Sequence, residues 1–389
     1  MPIFARSSVS RHVHSFDTGV DLARTVRTGF GHERLAGILA YATVSHDQKA
    51  FLAGIRHIVG PFVPVIGCSG QGVMGLEAVA EDGYVAGIMG LGGESLHFTP
   101  ARAEQFGDDS IQKAREVGKT LRGGAQGPLR VVLVHYDPLC GADVEVFLDA
   151  LHKEVACPIV GGAAAEFWGP MEQTFQYSND RAMHGAVVAV GLSGDFTSEA
   201  DVCDGTSPLG IEMTVTRAEG NKVLEFDGRP ALDVWQEFCS EAPERLGHSG
   251  AIGVGLPTNH PDIRLVRCVF GVDQAKKGIV FQAAIPVGSR LTFNHRTVDG
   301  ALDGTAAMAQ RISARLRGRT VRAVLGFECG ARSKPFLGKE ATFTENRDLQ
   351  RAVAPNAAWL GMFAWGEVSM FDDRPRLVNF SFPLLALAD

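Results

Sequence analysis

A thiol and a hydroxyl follow a short apolar segment in residues 64–73, whose sequence is PVIGCSGQGV. Cys68 and Ser69 come directly after Gly67, where a predicted buried strand passes into a tight glycine turn. Strands that end in such turns bring backbone N–H groups close to whatever lies in the crevice beyond them. These residue types therefore favour a small binding site at the end of the strand.

The same glycine spacing recurs near the other end of the chain. In WLGMFAWGEV, Gly366 stands five residues after another glycine, and Gly67 precedes a glycine by the same interval. A looser version is IVGGAAAE, which contains Gly161 and Gly162. We expect the glycine-ended strands to line one crevice.

Two cysteines at predicted strand ends raise the question of nucleophilic catalysis. Cys68 and Cys329 each lie beside a glycine, so either could serve a cysteine-dependent enzyme. A nucleophilic thiol needs a base or a helix N-terminus to lower its pKa, and the sequence supplies no obvious partner. Buried, inert cysteine is the favoured alternative, because free cysteine behaves mostly as a small apolar residue.

Two charged residues also follow predicted strands. Glu367 comes directly after Gly366 and could recognise the amino group of a small ligand, or simply cap a helix or face water. Arg332, shortly after Cys329, could pair with a ligand carboxylate. It could equally be a loop arginine in water.

The familiar nucleotide motifs give little support to a nucleotide-binding enzyme. Residues 70–75, GQGVMG, fit a dinucleotide-binding pattern, but the segment that follows is too short and too acidic for a Rossmann helix. The sequence contains no GxxxxGK[ST] segment, so it gives no support to nucleotide hydrolysis by that route.

Composition restricts the partners and the compartment. A net charge of −7 and a pI near 6 disfavour a nucleic-acid partner, which would need a basic face. The seven cysteines contain no CxxC pair, which is typical of a reducing compartment. The first residues lack a long apolar stretch, and the most apolar window is too short for a membrane span, so we expect a cytoplasmic protein without membrane insertion.

The elements that must position these residues are strand–helix–strand units. Apolar strands about 27 to 35 residues apart form such pairs, centred on Ile38 and Ile66, Leu133 and Val160, and Leu325 and Leu360. The change in character at residues 201–208 suggests a domain boundary. We predict an α/β fold with α+β character, in which two related halves of mixed β-sheets with helices hold a ligand crevice between or within them.

Taken in order, several segments resemble the FIST family. The N-terminal resemblance lies in VIGCS with its following glycine, PIVGGA and GAVV, at residues 65–72, 158–163 and 185–188. The C-terminal resemblance lies in VTRAEGN, GRPAL, IPVGS, CGAR and GEV, at residues 215–221, 228–232, 285–289, 329–332 and 366–368. The resemblance implies a FIST N-terminal domain over residues 25–205 and a FIST C-terminal domain over residues 208–375.

The resemblance implies a sensory role. FIST regions are regarded as input modules that bind small ligands, amino acids among them, and regulate histidine kinases or cyclic-dinucleotide enzymes. A stand-alone chain of this length is also similar to bacterial nitric-oxide-sensing proteins that bind haem. A haem would need an imidazole on its iron, and His184 and His295, beside apolar strands, are the candidates.

The sequence therefore predicts a non-catalytic sensor that binds a small ligand and regulates a separate signalling protein. The ligand is haem with nitric oxide as the signal, or an amino acid or related metabolite without haem; the alternative of another class is the cysteine-dependent enzyme. The predicted ligand-binding residues are Gly67, Cys68, Ser69, Gly161, Gly162, Cys329, Arg332, Gly366 and Glu367.

Overall fold

The computed structural model describes residues 2–167, 171–239 and 252–389. The predicted mixed α/β class is confirmed, because helices alternate with strands and the sheets contain both parallel and antiparallel pairs. Three repeats of one strand–helix unit account for most of the chain, and an insertion interrupts the third. In the part of the chain that the structure describes, no helix has the length and apolar character needed to cross a bilayer.

The first two repeats have the same order of elements. The first consists of β1 (Ile3–Ser10), α1 (Ser15–Phe30), β2 (Leu35–Ala42), α2 (Gln48–Val59), β3 (Val65–Ser69), β4 (Val73–Gly75), β5 (Ala78–Ala80) and β6 (Ala86–Gly93). The second consists of β7 (Leu96–Glu104), α3 (Ser110–Gly124), β8 (Leu129–Tyr136), α4 (Val144–Val155), β9 (Ile159–Gly162), β10 (Gln176–Ser178), β11 (Arg181–Met183) and β12 (Ala186–Gly194).

The third repeat begins with β13 (Thr197–Cys203) and resumes after the insertion. The insertion consists of β14 (Thr206–Glu219), β15 (Lys222–Phe226), β16 (Arg229–Pro230), α5 (Ala231–Phe238), β17 (Ile252–Leu256), β18 (Leu265–Arg267), β19 (Val269–Asp273), β20 (Gly278–Phe281) and β21 (Arg290–Arg296). The repeat then continues with α6 (Val298–Arg315), β22 (Val321–Cys329), a 3-10 turn (Gly330–Arg332), a π-helical turn (Ser333–Leu337), α7 (Lys339–Val353), β23 (Ala358–Ala364), β24 (Glu367–Phe371), β25 (Arg374–Val378) and β26 (Phe382–Ala388).

Each repeat forms a six-stranded sheet around one parallel pair. The pairs are β2 with β3, β8 with β9, and β22 with β23. On each side of a pair, two further strands continue the sheet in antiparallel orientation. The strands of the parallel pairs read as nearly continuous apolar runs because a parallel pair is covered on both faces. Aspartate caps start two of the connecting helices: Asp47 accepts from the Ala50 N–H at 3.0 Å, and Asp143 from the Val146 N–H at 3.1 Å.

A cyclic exchange of hairpins joins the three sheets. The hairpin β4–β5 of the first repeat completes the sheet of the third, β10–β11 of the second completes that of the first, and β24–β25 of the third completes that of the second. The structure therefore corrects the expectation of two related halves. The two units predicted in the first half are separate repeats, and the unit that begins near Leu325 is the third.

The insertion has a sheet and a core of its own. Its strands lie in the order β18-β17-β21-β14-β15-β20-β19, with β16 beside β15. Trp235 of α5 packs against Phe293 of β21 with ring centroids 5.1 Å apart. The first strand of the insertion, β14, pairs with its last strand, β21, and Thr206 lies opposite Arg296. The insertion therefore leaves the third repeat and returns to it at one place.

Candidate functional site

The thiol and hydroxyl that the sequence singles out lie in the closed centre of the three repeats. The Cys68 thiol is fully buried, and its Sγ lies 3.4 Å from Met362 Sδ. The Ser69 hydroxyl donates to the Ala165 carbonyl at 2.8 Å and accepts from the Phe175 N–H at 3.0 Å. Burial raises the pKa of Cys68 well above its ordinary value, so this thiol stays protonated.

The glycines beside them allow the parallel strands to approach closely. A β-carbon on Gly67 would lie 1.8 Å from the Ala40 carbonyl oxygen, and one on Gly161 would lie 2.0 Å from the Val134 oxygen. The Gly162 carbonyl accepts a hydrogen bond from His135 Nδ1 at 3.0 Å. These three glycines have a packing role in the structure, and their contact with a ligand stays a prediction.

A buried histidine and a tyrosine fill the centre where the three sheets meet. His135 Nδ1 must carry the proton, because its partner is a carbonyl, so His135 Nε2 accepts from the Tyr41 hydroxyl at 3.0 Å. Burial lowers the pKa of His135 to about 4, which keeps the imidazole neutral. The His135 ring also packs on Phe327 at 5.6 Å between centroids, so the centre is a packed core.

Arg332 lies in a buried ion-pair network and not at the mouth of a crevice. Its Nη2 donates to Glu345 Oε1 at 2.7 Å and to Thr305 Oγ1 at 3.0 Å, and its Nε donates to Glu328 Oε1 at 3.3 Å. Its Nη1 donates to the Asp204 carbonyl. All three guanidinium nitrogens therefore have protein partners.

The remaining predicted residues do meet at a cleft, which we call the insertion cleft. It lies between the insertion and the third repeat and has a volume of about 40 Å³. Its walls are mainly apolar and aromatic, and they consist of Cys268, Val269, Phe270, Gln282, Cys329, Ala331, Ala364, Trp365, Gly366, Asn379 and Phe380. Cys329 and Gly366 were predicted from sequence, and Glu367 lies directly behind them.

Two amides connect the insertion to the third repeat at this cleft. Gln282 Nε2 donates to the Trp365 carbonyl at 2.8 Å, and Asn379 Nδ2 donates to Gln282 Oε1. Asn379 Oδ1 accepts from the Cys268 N–H at 3.1 Å. The position of the insertion strands beside the cleft thus depends on a short chain of hydrogen bonds.

Glu367 is a fully buried carboxyl group at the back of the cleft. Its Oε2 accepts from the Ser381 hydroxyl at 2.9 Å, and its Oε1 accepts from the Gly366 N–H at 3.2 Å. Burial raises its pKa to about 8, although hydrogen bonds from Ser381 and Cys329 oppose the rise. Near neutral pH this group is therefore mostly uncharged.

The two thiols of the cleft are also held in their neutral form. Burial raises the pKa of Cys268 to about 12 and that of Cys329 well above its ordinary value, and Glu367 adds to both shifts. The attacking species in thiol chemistry is the thiolate. The cleft therefore lacks the electrostatic feature that a cysteine nucleophile needs.

An arginine and two phenylalanines form the wall behind Ala331. The Arg296 guanidinium lies between the rings of Phe336 and Phe380, at 4.1 and 4.2 Å from their centroids, and donates to the Ala331 carbonyl. Burial lowers the pKa of Arg296 to about 10. No sequence pattern singled out Arg296, Gln282, Asn379 or Cys268.

The two candidate haem histidines lie apart from the insertion cleft. His184 Nδ1 lies 2.7 Å from the Thr174 carbonyl, and the His184 ring packs against Phe175 at 4.5 Å. His295 lies within β21, beside Ser207 and Ile252 in register. Neither histidine lines the insertion cleft, and a haem iron bound by either residue stays a prediction. Within the described ranges, no group of three or more His, Cys, Asp and Glu residues is arranged to hold a metal ion.

Family models match nearly the whole of this architecture. The FIST N domain matches residues 36–229 and the FIST C domain matches residues 231–370. The chain belongs to the FIST family. FIST domains are sensory domains that bind small ligands in signal-transduction proteins.

Curated relatives of this FIST chain are uncharacterized proteins. One from Methanocaldococcus jannaschii is 24% identical over 236 residues, and the match spans 57% of this chain but only 44% of that protein, less than half its length. One from Mycobacterium tuberculosis is 24% identical over 396 residues, spanning 96% of this chain and 98% of the relative. Among solved structures, a cyanuric acid hydrolase from A. caulinodans matches 100% of this chain and 99% of its own at 9% identity, with a TM-score of 0.36.

Proposed function

We propose that this FIST chain is a cytoplasmic sensory protein whose small ligand binds in the insertion cleft. Binding changes the position of the insertion relative to the third repeat, and a separate signalling protein, a histidine kinase or a cyclic-dinucleotide enzyme, responds to the change. The observation that carries the proposal is that the walls of the cleft come from two separately paired sheets. A ligand between such sheets can favour one arrangement over another through its differential affinity.

The chemistry of the cleft favours a small ligand without net charge. A volume of about 40 Å³ accommodates roughly three water molecules, so a larger ligand requires the mouth to open. Phe270 is 47% exposed at that mouth, and its ring meets Trp365 edge-on at 6.0 Å. The thiols of Cys268 and Cys329 and the protonated carboxyl of Glu367 add polar but uncharged groups.

Filling the cleft tests the proposal directly. Ala331 is half-buried in the cleft wall, so Ala331→Leu occupies the space that a ligand would take. Ala150→Leu, on the half-buried face of α4, is the matched control outside the cleft. In a thermal-shift screen of amino acids and neutral metabolites, a ligand of the cleft raises the melting temperature of the wild type and of Ala150→Leu but not of Ala331→Leu. An equal shift in both variants would place the ligand elsewhere.

The haem version of the sensor is not part of this proposal, because neither His184 nor His295 lies at the cleft. Its test is an absorption spectrum of the protein loaded with haem, before and after reduction and nitric oxide. We expect no stoichiometric Soret band. A band that moves with nitric oxide and disappears in His184→Ala or His295→Ala would replace the small-metabolite proposal with a gas sensor.

A further inference from the structure

A second cleft adjoins the insertion cleft at Gln282. This α4 cleft has a volume of about 270 Å³ and opens between the start of α4, the turn from β14 to β15, and the segment that follows β20. Glu145, Asn221, Gln282 and Leu377 are among the residues that line it. Gln282 lines both clefts, so the two spaces share a wall.

Directly behind Glu145 lies an arginine whose donors are only partly used. Arg267 is 3% exposed, and its Nη2 donates to Glu145 Oε1 at 2.6 Å. Its Nε and Nη1 atoms are buried without a hydrogen-bond partner among the residues that the structure describes. Glu145 is shared, because it also accepts from Arg376 Nη1 at 2.7 Å and from the Leu377 N–H at 2.9 Å. Two guanidinium groups thus share one carboxylate, which leaves one positive charge in excess among these three side chains.

A buried tyrosine hydroxyl lies near Leu377, whose N–H donates to the same Glu145. Tyr136 is 1% exposed, and its hydroxyl has no hydrogen-bond partner within the described part of the chain. A β-carbon on Gly366 would lie 3.1 Å from this hydroxyl and 2.8 Å from Gln282 Nε2, which places both beside the shared wall. Burial, with Glu367 and then Glu145, raises the pKa of Tyr136, while the charge of Arg267 opposes the rise. The hydroxyl therefore keeps its proton and can donate a hydrogen bond.

Three buried polar atoms without partners among the described residues, two on Arg267 and one on Tyr136, require a physical explanation. Native proteins pair nearly all such atoms, and an unpaired buried donor costs the free energy of its lost hydration. Arg267 also has a burial cost, since burial lowers its pKa and the charge of Glu145 only opposes this. An anion with oxygen acceptors would satisfy the free N–H groups, the hydroxyl and the excess positive charge together.

We propose that Arg267 and Tyr136 form a binding site for an oxyanion, the carboxylate or phosphate group of a small metabolite that enters through the α4 cleft. Arg267 belongs to β18 of the insertion and Tyr136 to β8 of the second repeat. A bound anion therefore connects the insertion to the second repeat. This site is distinct from the neutral-ligand cleft and stands whether or not that cleft is occupied.

The experiment uses the full-length protein, dialysed free of small molecules. Inorganic phosphate and acetate are titrated separately at constant ionic strength, with sodium chloride as the balance, and binding is measured by thermal shift and by calorimetry. The two probes distinguish a phosphate from a carboxylate. The variants are Tyr136→Phe and Arg267→Lys, which keeps the charge but loses the planar fork. The control is Tyr177→Phe, because the Tyr177 hydroxyl is equally buried but donates to Gln48 of α2 in the first repeat.

We expect a saturable rise in melting temperature with at least one anion in the wild type and in Tyr177→Phe. Tyr136→Phe should weaken that binding about tenfold or more, the effect of one hydrogen bond to a charged group. Without anion, Tyr136→Phe should melt at the wild-type temperature or above, since its hydroxyl has no partner to lose. The proposal would be overturned if neither anion raised the melting temperature more than sodium chloride does, or if Tyr136→Phe bound the anion as tightly as the wild type. If Arg267→Lys does not fold, the result for Tyr136→Phe alone decides.

Discussion

Two buried polar clusters in this protein deal with charge in opposite ways. Around Arg332 in the third repeat, every guanidinium nitrogen has a protein partner, and the carboxyl groups of Glu328 and Glu345 lie against it. Around Arg267 at the insertion, two guanidinium nitrogens and the Tyr136 hydroxyl lack partners among the described residues. In the closed cluster every guanidinium nitrogen of Arg332 is used, although Glu345 Oε2 is an acceptor without a partner among the described residues. The open cluster has donors available for a ligand.

The largest difference between the clusters should appear when the guanidinium is removed. In Arg332→Met, two buried carboxyl groups lose the arginine that pairs with them in the described part of the chain, and we expect the free energy of unfolding to fall by about 3–5 kcal/mol. Burial, followed by Glu345, already raises the pKa of Glu328, so part of the loss is relieved by protonation. Urea unfolding monitored by fluorescence and circular dichroism measures the change.

Arg267→Met is the matched comparison for that loss. Glu145 keeps Arg376 and the Leu377 N–H, so removal of Arg267 leaves no isolated carboxylate. We expect a smaller decrease in the free energy of unfolding, about 1–3 kcal/mol. Equal losses in Arg332→Met and Arg267→Met would contradict the distinction between a closed and an open cluster.

The carboxyl group of Glu367 allows the comparison to be tested by pH. Glu328 is beside an arginine, whereas the described contacts of Glu367 are Ser381, the Gly366 N–H and Cys329, and burial raises its pKa to about 8. The folded protein therefore holds a proton that the unfolded chain releases above about pH 4.3. The contribution of Glu367 to the free energy of unfolding is fully present below that pH. It declines as the pH rises to about 8 and does not change further at higher pH.

The slope of that decline is roughly 1.4 kcal/mol per pH unit for one proton. Between pH 5 and pH 8 the free energy of unfolding of the wild type should therefore fall by roughly 3–4 kcal/mol relative to that of Glu367→Gln. Urea unfolding at several pH values measures it. A difference that does not vary with pH would mean that Glu367 is ionised in the folded protein.

The sequence revealed the local units but not how they assemble. The strand expected at residues 130–135 is β8 (Leu129–Tyr136), since an unbroken apolar run between helices specifies a buried strand. The hairpins that complete one another's sheets, and the pairing of Arg267 with Glu145, 122 residues away, leave no local pattern. For the same reason Cys329, Gly366 and Glu367 could be chosen from their strand ends, whereas Arg267 could not.

Thiol labelling should give the smallest effect, and it tests the two cysteines of the insertion cleft. Burial raises the pKa of Cys268 to about 12 and that of Cys329 higher than its ordinary value, so the thiolate fraction at pH 7 is very small. Because only the thiolate reacts, iodoacetamide should label both residues far more slowly than free cysteine, by about a thousandfold for Cys268. Peptide mass spectrometry gives the rate at each site, and labelling in urea is the control. Rapid labelling of Cys329 in the folded protein would mean that a nearby group ionises this thiol, and the cysteine-dependent enzyme would then be favoured over the sensor.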